Sequence, residues 1–305
     1  MHYTLKAVLS GLAAFYVSTT AQAMNVGTYN IRYDNPADAK AGNGWEQRAP
    51  VIAGMIRFHG FDIVGTQEGY IHQIHDLEKL LPEYECTAHG RDDGKEAGEN
   101  IAIFYRADKF KKLNEGLFWL SENPEQPGKG WDAALPRICG WAEFQDKESG
   151  KKFYYLSVHF DHRGVEARKQ SANLLIQRIQ RIAKNTPAIL CGDFNVDQTS
   201  ESYKVLHDSS ILRDSYEVAP LRLALNGTAN RFDVNSMTDS RIDHVFLTKE
   251  FDAKKYGILT DTYRTPAGDQ TGERSGNFPG EVVFKNYEAR LPSDHFPVLV
   301  EVDWK

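Results

Sequence analysis

Gly192-Asp193-Phe194-Asn195 closes the apolar run Ala188-Ile189-Leu190-Cys191. On an extended backbone, residues two apart point the same way, so Asp193 and Asn195 would face one pocket. One could take a proton from water while the other holds that water or a phosphate oxygen. Five further polar motifs sit at or within apolar runs: Thr28-Tyr29-Asn30-Ile31-Arg32, Thr66-Gln67-Glu68, His159-Phe160-Asp161-His162, Arg241-Ile242-Asp243-His244 and Ser293-Asp294-His295. Glu68 follows Ile63-Val64-Gly65, and a carboxylate where loops leave a sheet is well placed to hold a cation. Asn30 could orient Glu68 or offer a metal its amide oxygen. A histidine beside a carboxylate is fixed in one tautomer and made more basic. Asp243 would orient His295 against a scissile phosphate, with Asp294 near the metal. Hard oxygen donors with few thiols favour Mg²⁺ or Mn²⁺ over structural zinc. Such an ion would stabilise charge on phosphoryl and leaving oxygens. Taken singly, each motif reads as a strand-end turn or a structural imidazole; the ordered set of six carries the chemistry. His72 and His75 turn away from the apolar stripe of their helix and stand outside that set.

Strands and helices must bring these distant motifs together. Strand-like runs cover 25–32, 63–67, 84–89, 101–105, 110–119, 138–144, 153–159, 188–194, 242–248 and 296–302, many rich in Val, Ile, Phe and Tyr. Helical spacing marks 45–58, 70–81 and 165–183, with Pro187 expected to stop the last. The two kinds of element mix without strict alternation, which predicts an α+β arrangement of two packed mixed sheets flanked by helices. The stretch 263–280, rich in Gly, Pro, Thr and charge, reads as a long loop leading towards Ser293-Asp294-His295, either over the site or as a surface excursion.

The N-terminus reads as a secretory signal over residues 1–23. Lys6 precedes a mostly apolar stretch, and Ala21-Gln22-Ala23 fits a small-x-small cleavage site, with the cut after Ala23. That stretch is too short to span a bilayer, so the protein is expected to be secreted or periplasmic. Cleavage leaves 282 of the 305 residues, enough for one domain over 24–305. It removes one lysine and moves the formal net charge from −6 to −7. An acidic chain lacks the basic footprint of a general nucleic-acid binder. Cys86, Cys139 and Cys191 are too few and too scattered for a disulfide framework or a zinc site, although one bridge could form in an oxidising compartment. No Gly-x-Ser-x-Gly elbow, His-Glu-x-x-His helix or Gly-x-Gly-x-x-Gly loop is present.

In this order, the six motifs resemble those of the endonuclease/exonuclease/phosphatase superfamily, the DNase I-like hydrolases. The resemblance covers Met24 to Trp304 and implies a four-layer α/β/β/α sandwich that hydrolyses phosphoesters with a metal. It implies that Asn30 and Glu68 lie on the metal side and that His159 contacts phosphate. By the same resemblance Asp193 activates water with Asn195 as its partner, Asp243 backs His295, and Asp294-His295 is the closing pair. Segments 90–99, 130–137 and 159–164 look like the secreted bacterial branch. Arg91 and Arg137 within them are candidate phosphate-binding guanidiniums or else surface ion-pair partners. The reaction expected is Mg²⁺-dependent phosphodiester or phosphomonoester hydrolysis. A nuclease of the same fold is the alternative within the reaction class, and a non-catalytic phospho-ligand binder is the alternative outside it.

Overall fold

The computed structural model describes residues 23–273 and 276–305, so the expected leader lies outside the described residues except for Ala23. The first half of the chain forms β1 (Met24–Asn30), α1 (Pro36–Lys40), α2 (Trp45–Phe58), β2 (Ile63–Gln67), α3 (Ile71–Leu80), β3 (Tyr84–Gly90), β4 (Asn100–Arg106), β5 (Phe110–Trp119), β6 (Ile138–Asp146) and β7 (Lys152–His159). The second half forms α4 (Val165–Ile182), β8 (Ala188–Asp193), α5 (Glu201–His207), β9 (Arg213–Asp214), α6 (Ser215–Val218), β10 (Leu221–Leu223), β11 (Asp243–Leu247), β12 (Phe251–Ile258), β13 (Tyr263–Pro266), β14 (Tyr287–Arg290) and β15 (Val298–Trp304).

One sheet has the order β10-β12-β15-β1-β2-β4-β3 and the other β5-β6-β7-β8-β11-β9. Both are mixed: β1 runs parallel to β2 and β7 parallel to β8, while most other neighbours are antiparallel. Side chains alternate across each strand. On β7 and β8, Phe153, Tyr155, Ile189 and Cys191 pack between the sheets, whereas Leu156, Val158 and Leu190 face α4 through Ala172, Leu175 and Ile179. On the other sheet Tyr29, Val64 and Phe104 pack against Ile52, Ile56, Ile74 and Leu77 of α2 and α3. The result is the four-layer α/β/β/α sandwich that the motifs implied.

The strand directions explain why the motifs converge. Parallel β1 and β2 place Asn30 opposite Gln67, and parallel β7 and β8 place His159 opposite Asp193. Antiparallel β11 contributes its first residue at the same edge, with Asp243 opposite Asp193. β15 is antiparallel to β1 and starts beside Thr28, so the preceding Ser293-Asp294-His295 also reaches that edge. Beneath it the sheets approach closely. A Cβ on Gly65 would lie 2.6 Å from Ser157 Oγ and 2.7 Å from Cys191 Sγ.

Three expectations from the sequence need correction. Helix α4 ends at Ile182, before Pro187, and the chain turns away through Lys184 at φ 54°. β8 ends at Asp193, and Asn195 sits in the left-handed region at φ 49°, so the two side chains do not share one extended face. The 263–280 stretch is not structureless: β13 pairs with β14, and Glu273 bridges to Phe284. All three cysteines are free. No helix among the described residues is long and apolar enough to cross a membrane.

Candidate active site

Asn30 links the two sheets. Its Nδ2 donates to Glu68 Oε1 at 2.9 Å and to Asp193 Oδ2 at 3.0 Å, while its Oδ1 accepts from the Arg32 backbone N–H at 3.0 Å. The amide therefore orients both carboxylates. Glu68 also accepts from the Tyr33 N–H at 3.3 Å. Arg32, Glu68 and Asn195 all have positive φ, at 58°, 70° and 49°. Such backbone costs free energy in residues that carry a side chain and gathers at functional sites. Here it lets three strand ends turn sharply while their side chains stay aimed at one point.

Asp193 is buried at the centre. Its Oδ1 accepts from the Asn195 N–H at 2.8 Å, and the Asn195 Nδ2 donates to the Phe160 carbonyl at 3.0 Å. His159 Nε2 lies 3.4 Å and His295 Nε2 3.9 Å from Asp193 Oδ2. His295 Nδ1–H donates to Asp243 Oδ2 at 2.9 Å, which orients the ring and leaves Nε2 towards Asp193. The Thr228 hydroxyl accepts from the Asp243 N–H at 3.1 Å, and an isolated bridge pairs Ala229 with His295. Asp294 is held by Arg32 Nη1 at 3.3 Å, and the adjacent Ser293 hydroxyl donates to the Asn30 carbonyl at 2.6 Å.

Arg91 and Arg137 are largely buried, and the acid they approach, Glu99, is buried with them rather than on the surface. They line one recess with Glu68, Glu99, Asn100 and His159. Arg91 Nη1 meets Glu99 Oε2 at 2.5 Å. Arg137 Nη1 is 2.9 and 3.1 Å from the two ring nitrogens of His159, a placement over the ring face rather than at either lone pair. Asp161 anchors the neighbouring loop by accepting from the Arg163 and Gly164 N–H groups at 2.9 and 2.7 Å. Glu99 is a site residue that the motif reading passed over; its one signal was its place in the 90–99 segment beside Arg91. Arg32, in the first motif, is another residue whose place here the sequence does not signal: it pairs with Asp294. His72 and His75 are exposed, away from these groups.

The electrostatics show a surplus of negative charge. Burial, then the Asp243 charge, pushes the Asp193 carboxyl up to about 7. Burial, then Glu68, pushes Glu99 up to about 7. Burial also raises Asp294, with Glu68 adding to it. Burial opposes charge on His295, but Asp243 and Asp193 outweigh it and lift the imidazole well above its usual range. His159 moves well down, by burial and then Arg137. Asp243 Oδ1 is buried without a hydrogen-bond partner. The Glu68 charge thus disfavours ionisation of three neighbouring carboxyls at once. A cation there would relieve all three, and oxygens of Glu68 and Asp193 lie with a His159 nitrogen within 4.8 Å of one another. This donor set fits a divalent ion.

Residues 27–295 match the Endonuclease/Exonuclease/phosphatase family. The chain belongs to that family. Members hydrolyse phosphoesters and generally depend on a divalent metal. A family structure from Bacteroides thetaiotaomicron is 49% identical, covers 93% of this chain and 98% of its own, and superposes with TM-score 0.86. A mannosyl-6-phosphatase of Bacteroides thetaiotaomicron VPI-5482 is also 49% identical, covering 92% and 100%, with TM-score 0.84. Human nocturnin is 27% identical over 65% of this chain, and the match spans 46% of its length.

Proposed function

We propose that this chain is a Mg²⁺-dependent phosphomonoesterase that removes phosphate from a small phosphorylated sugar. The observation that carries the reading is the convergence of Asn30, Glu68, His159 and the Asp243–His295 pair on Asp193. The likeness to the mannosyl-6-phosphatase, 49% identical over 92% of this chain and all of that one, supports the substrate class. Mg²⁺ is favoured because the donors are few and hard and leave room for water and substrate. The apolar stretch before Ala23 supports export, as in the secreted bacterial branch.

Glu68 would hold the metal, with Asp294 near enough for the two charges to interact; Asn30 turns its Nδ2 to Glu68 and its Oδ1 to the Arg32 N–H, so it would position Glu68 rather than ligate the ion. When bound, the ion supplies charge to offset the phosphoryl and leaving oxygens. Asp193 accepts the proton of the attacking water, and Asn195 helps position that water. His295, charged and oriented by Asp243, donates to a phosphoryl oxygen. Arg137 and Arg91 bind the remaining phosphate oxygens as charge-assisted donors. Arg137 also disfavours protonation of His159, so His159 acts as a neutral imidazole.

The test is a screen of the purified protein against hexose 6-phosphates, inositol phosphates, phosphodiesters, plasmid DNA and RNA. The expected result is phosphate release from sugar monoesters, lost in excess chelator and restored by Mg²⁺ or Mn²⁺. Undiminished turnover in chelator, or turnover confined to nucleic acid, contradicts the proposal.

A further inference from the structure

Arg91 and Arg137 share one carboxylate oxygen. Glu99 Oε2 lies 2.5 Å from Arg91 Nη1, 3.6 Å from Arg137 Nη1 and 3.9 Å from His159 Nδ1. Two guanidiniums and an imidazole therefore surround a single carboxyl oxygen, in a recess whose wall also carries Glu68. The cations are not saturated by it. Nε of Arg91 and Nε of Arg137 are both buried without a hydrogen-bond partner, and the contacts of these two atoms to Asp92 and Asp161 are long, 3.9 and 3.7 Å. A guanidinium offers five donors in a planar fork, a geometry that suits a tetrahedral oxyanion better than one shared carboxylate oxygen.

We infer that Glu99 is a resident competitor for phosphate: its carboxylate occupies the place of a phosphate oxygen on Arg91 and Arg137, gives way when phosphate enters, and returns to displace it. The inference deepens the proposed phosphatase reading by giving the site a device for releasing its product. Binding and hydrolysis keep Arg91 and Arg137 either way; Glu99 sets how tightly free phosphate stays. A Glu99 that merely positions Arg91 predicts the opposite sign, because its loss would then loosen the guanidiniums and weaken phosphate binding.

The experiment is calorimetric titration of inorganic phosphate into the Mg²⁺-loaded protein, wild type against Glu99→Gln. The amide keeps the side chain's shape and removes its charge. The expected result is at least about tenfold tighter phosphate binding in Glu99→Gln, with about tenfold weaker binding in Arg91→Gln as the reference for a lost cation. Unchanged or weaker binding in folded Glu99→Gln overturns the inference, as does failure of the wild type to bind phosphate. Should Glu99→Gln not fold, a phosphate-soaked crystal of the wild type decides: phosphate on Arg91 with the Glu99 contact opened supports it, and phosphate seated with that contact intact overturns it. Both readouts stand apart from turnover, so a protein that binds phosphate in this way but hydrolyses no ester would defeat the proposed function and leave this inference standing.

Discussion

Asp193 and Glu99 keep their protons up to about pH 7 because burial and neighbouring carboxylates oppose ionisation. In the unfolded chain the same groups ionise near pH 4. Between about 4 and about 7 the folded state holds more protons, so these groups cost stability progressively as pH rises. A divalent ion beside them reverses the sign, since its charge favours the ionised form of nearby carboxyls. The gain in thermal midpoint from saturating Mg²⁺ is therefore expected to be larger at about pH 8 than at about pH 5. Calorimetric scans with and without metal would read it, and an equal or larger gain at the lower pH contradicts the metal assignment. His295→Ala removes the imidazole proposed to donate to phosphate and is expected to cost on the order of 10²–10³ in turnover while the protein stays folded. Most of the residues in this cluster were legible as strand-end polar motifs. Glu99 was not, because an acid before an apolar strand reads as solvated until Arg91 and Arg137 are seen around it.

Two glycines show how tightly the elements are drawn together under the site. At Gly65 a methyl group would press on Ser157 Oγ and Cys191 Sγ between the sheets. At Gly192, where φ is +151°, it would lie 2.0 Å from the Val158 carbonyl oxygen on parallel β7. Gly65→Ala is expected to lower stability by about 1–3 kcal/mol, as overpacking does, and Gly192→Ala by more, because backbone cannot yield as a side chain can. Denaturant titration would measure both, and two near-neutral substitutions would refute this close approach of the sheets. The long elements were readable from hydrophobic pattern: Phe110–Trp119, Ile63–Gln67 and Trp45–Phe58 have the expected bounds. Short β9, β10 and α6 were missed, as two to four residues carry no period. β12 was missed because Lys254 and Lys255, at its bulge, break the alternation. The β13–β14 arm was hidden by its Gly, Pro and Thr content.

At the scale of the whole molecule, an acidic chain gathers the cations Arg91 and Arg137 around the one carboxyl of Glu99. Formal net charge is −6, and the site's guanidiniums are buried beside acids. Under the proposed reading a small phosphate ester meets them there, whereas a polynucleotide would meet a chain of net negative charge. Turnover of a sugar phosphate is expected to fall only modestly between about 50 and 200 mM salt. The loss of about 10³ or more that follows release of many counterions from nucleic acid would mark the other substrate class. The most direct measurement is phosphate release from mannose 6-phosphate in Mg²⁺ by wild type and by Asp193→Asn, with folding of both checked by circular dichroism. The expected result is clear turnover in the wild type and a loss of about 10³-fold or more in the folded variant; near-equal rates would contradict an active site centred on Asp193.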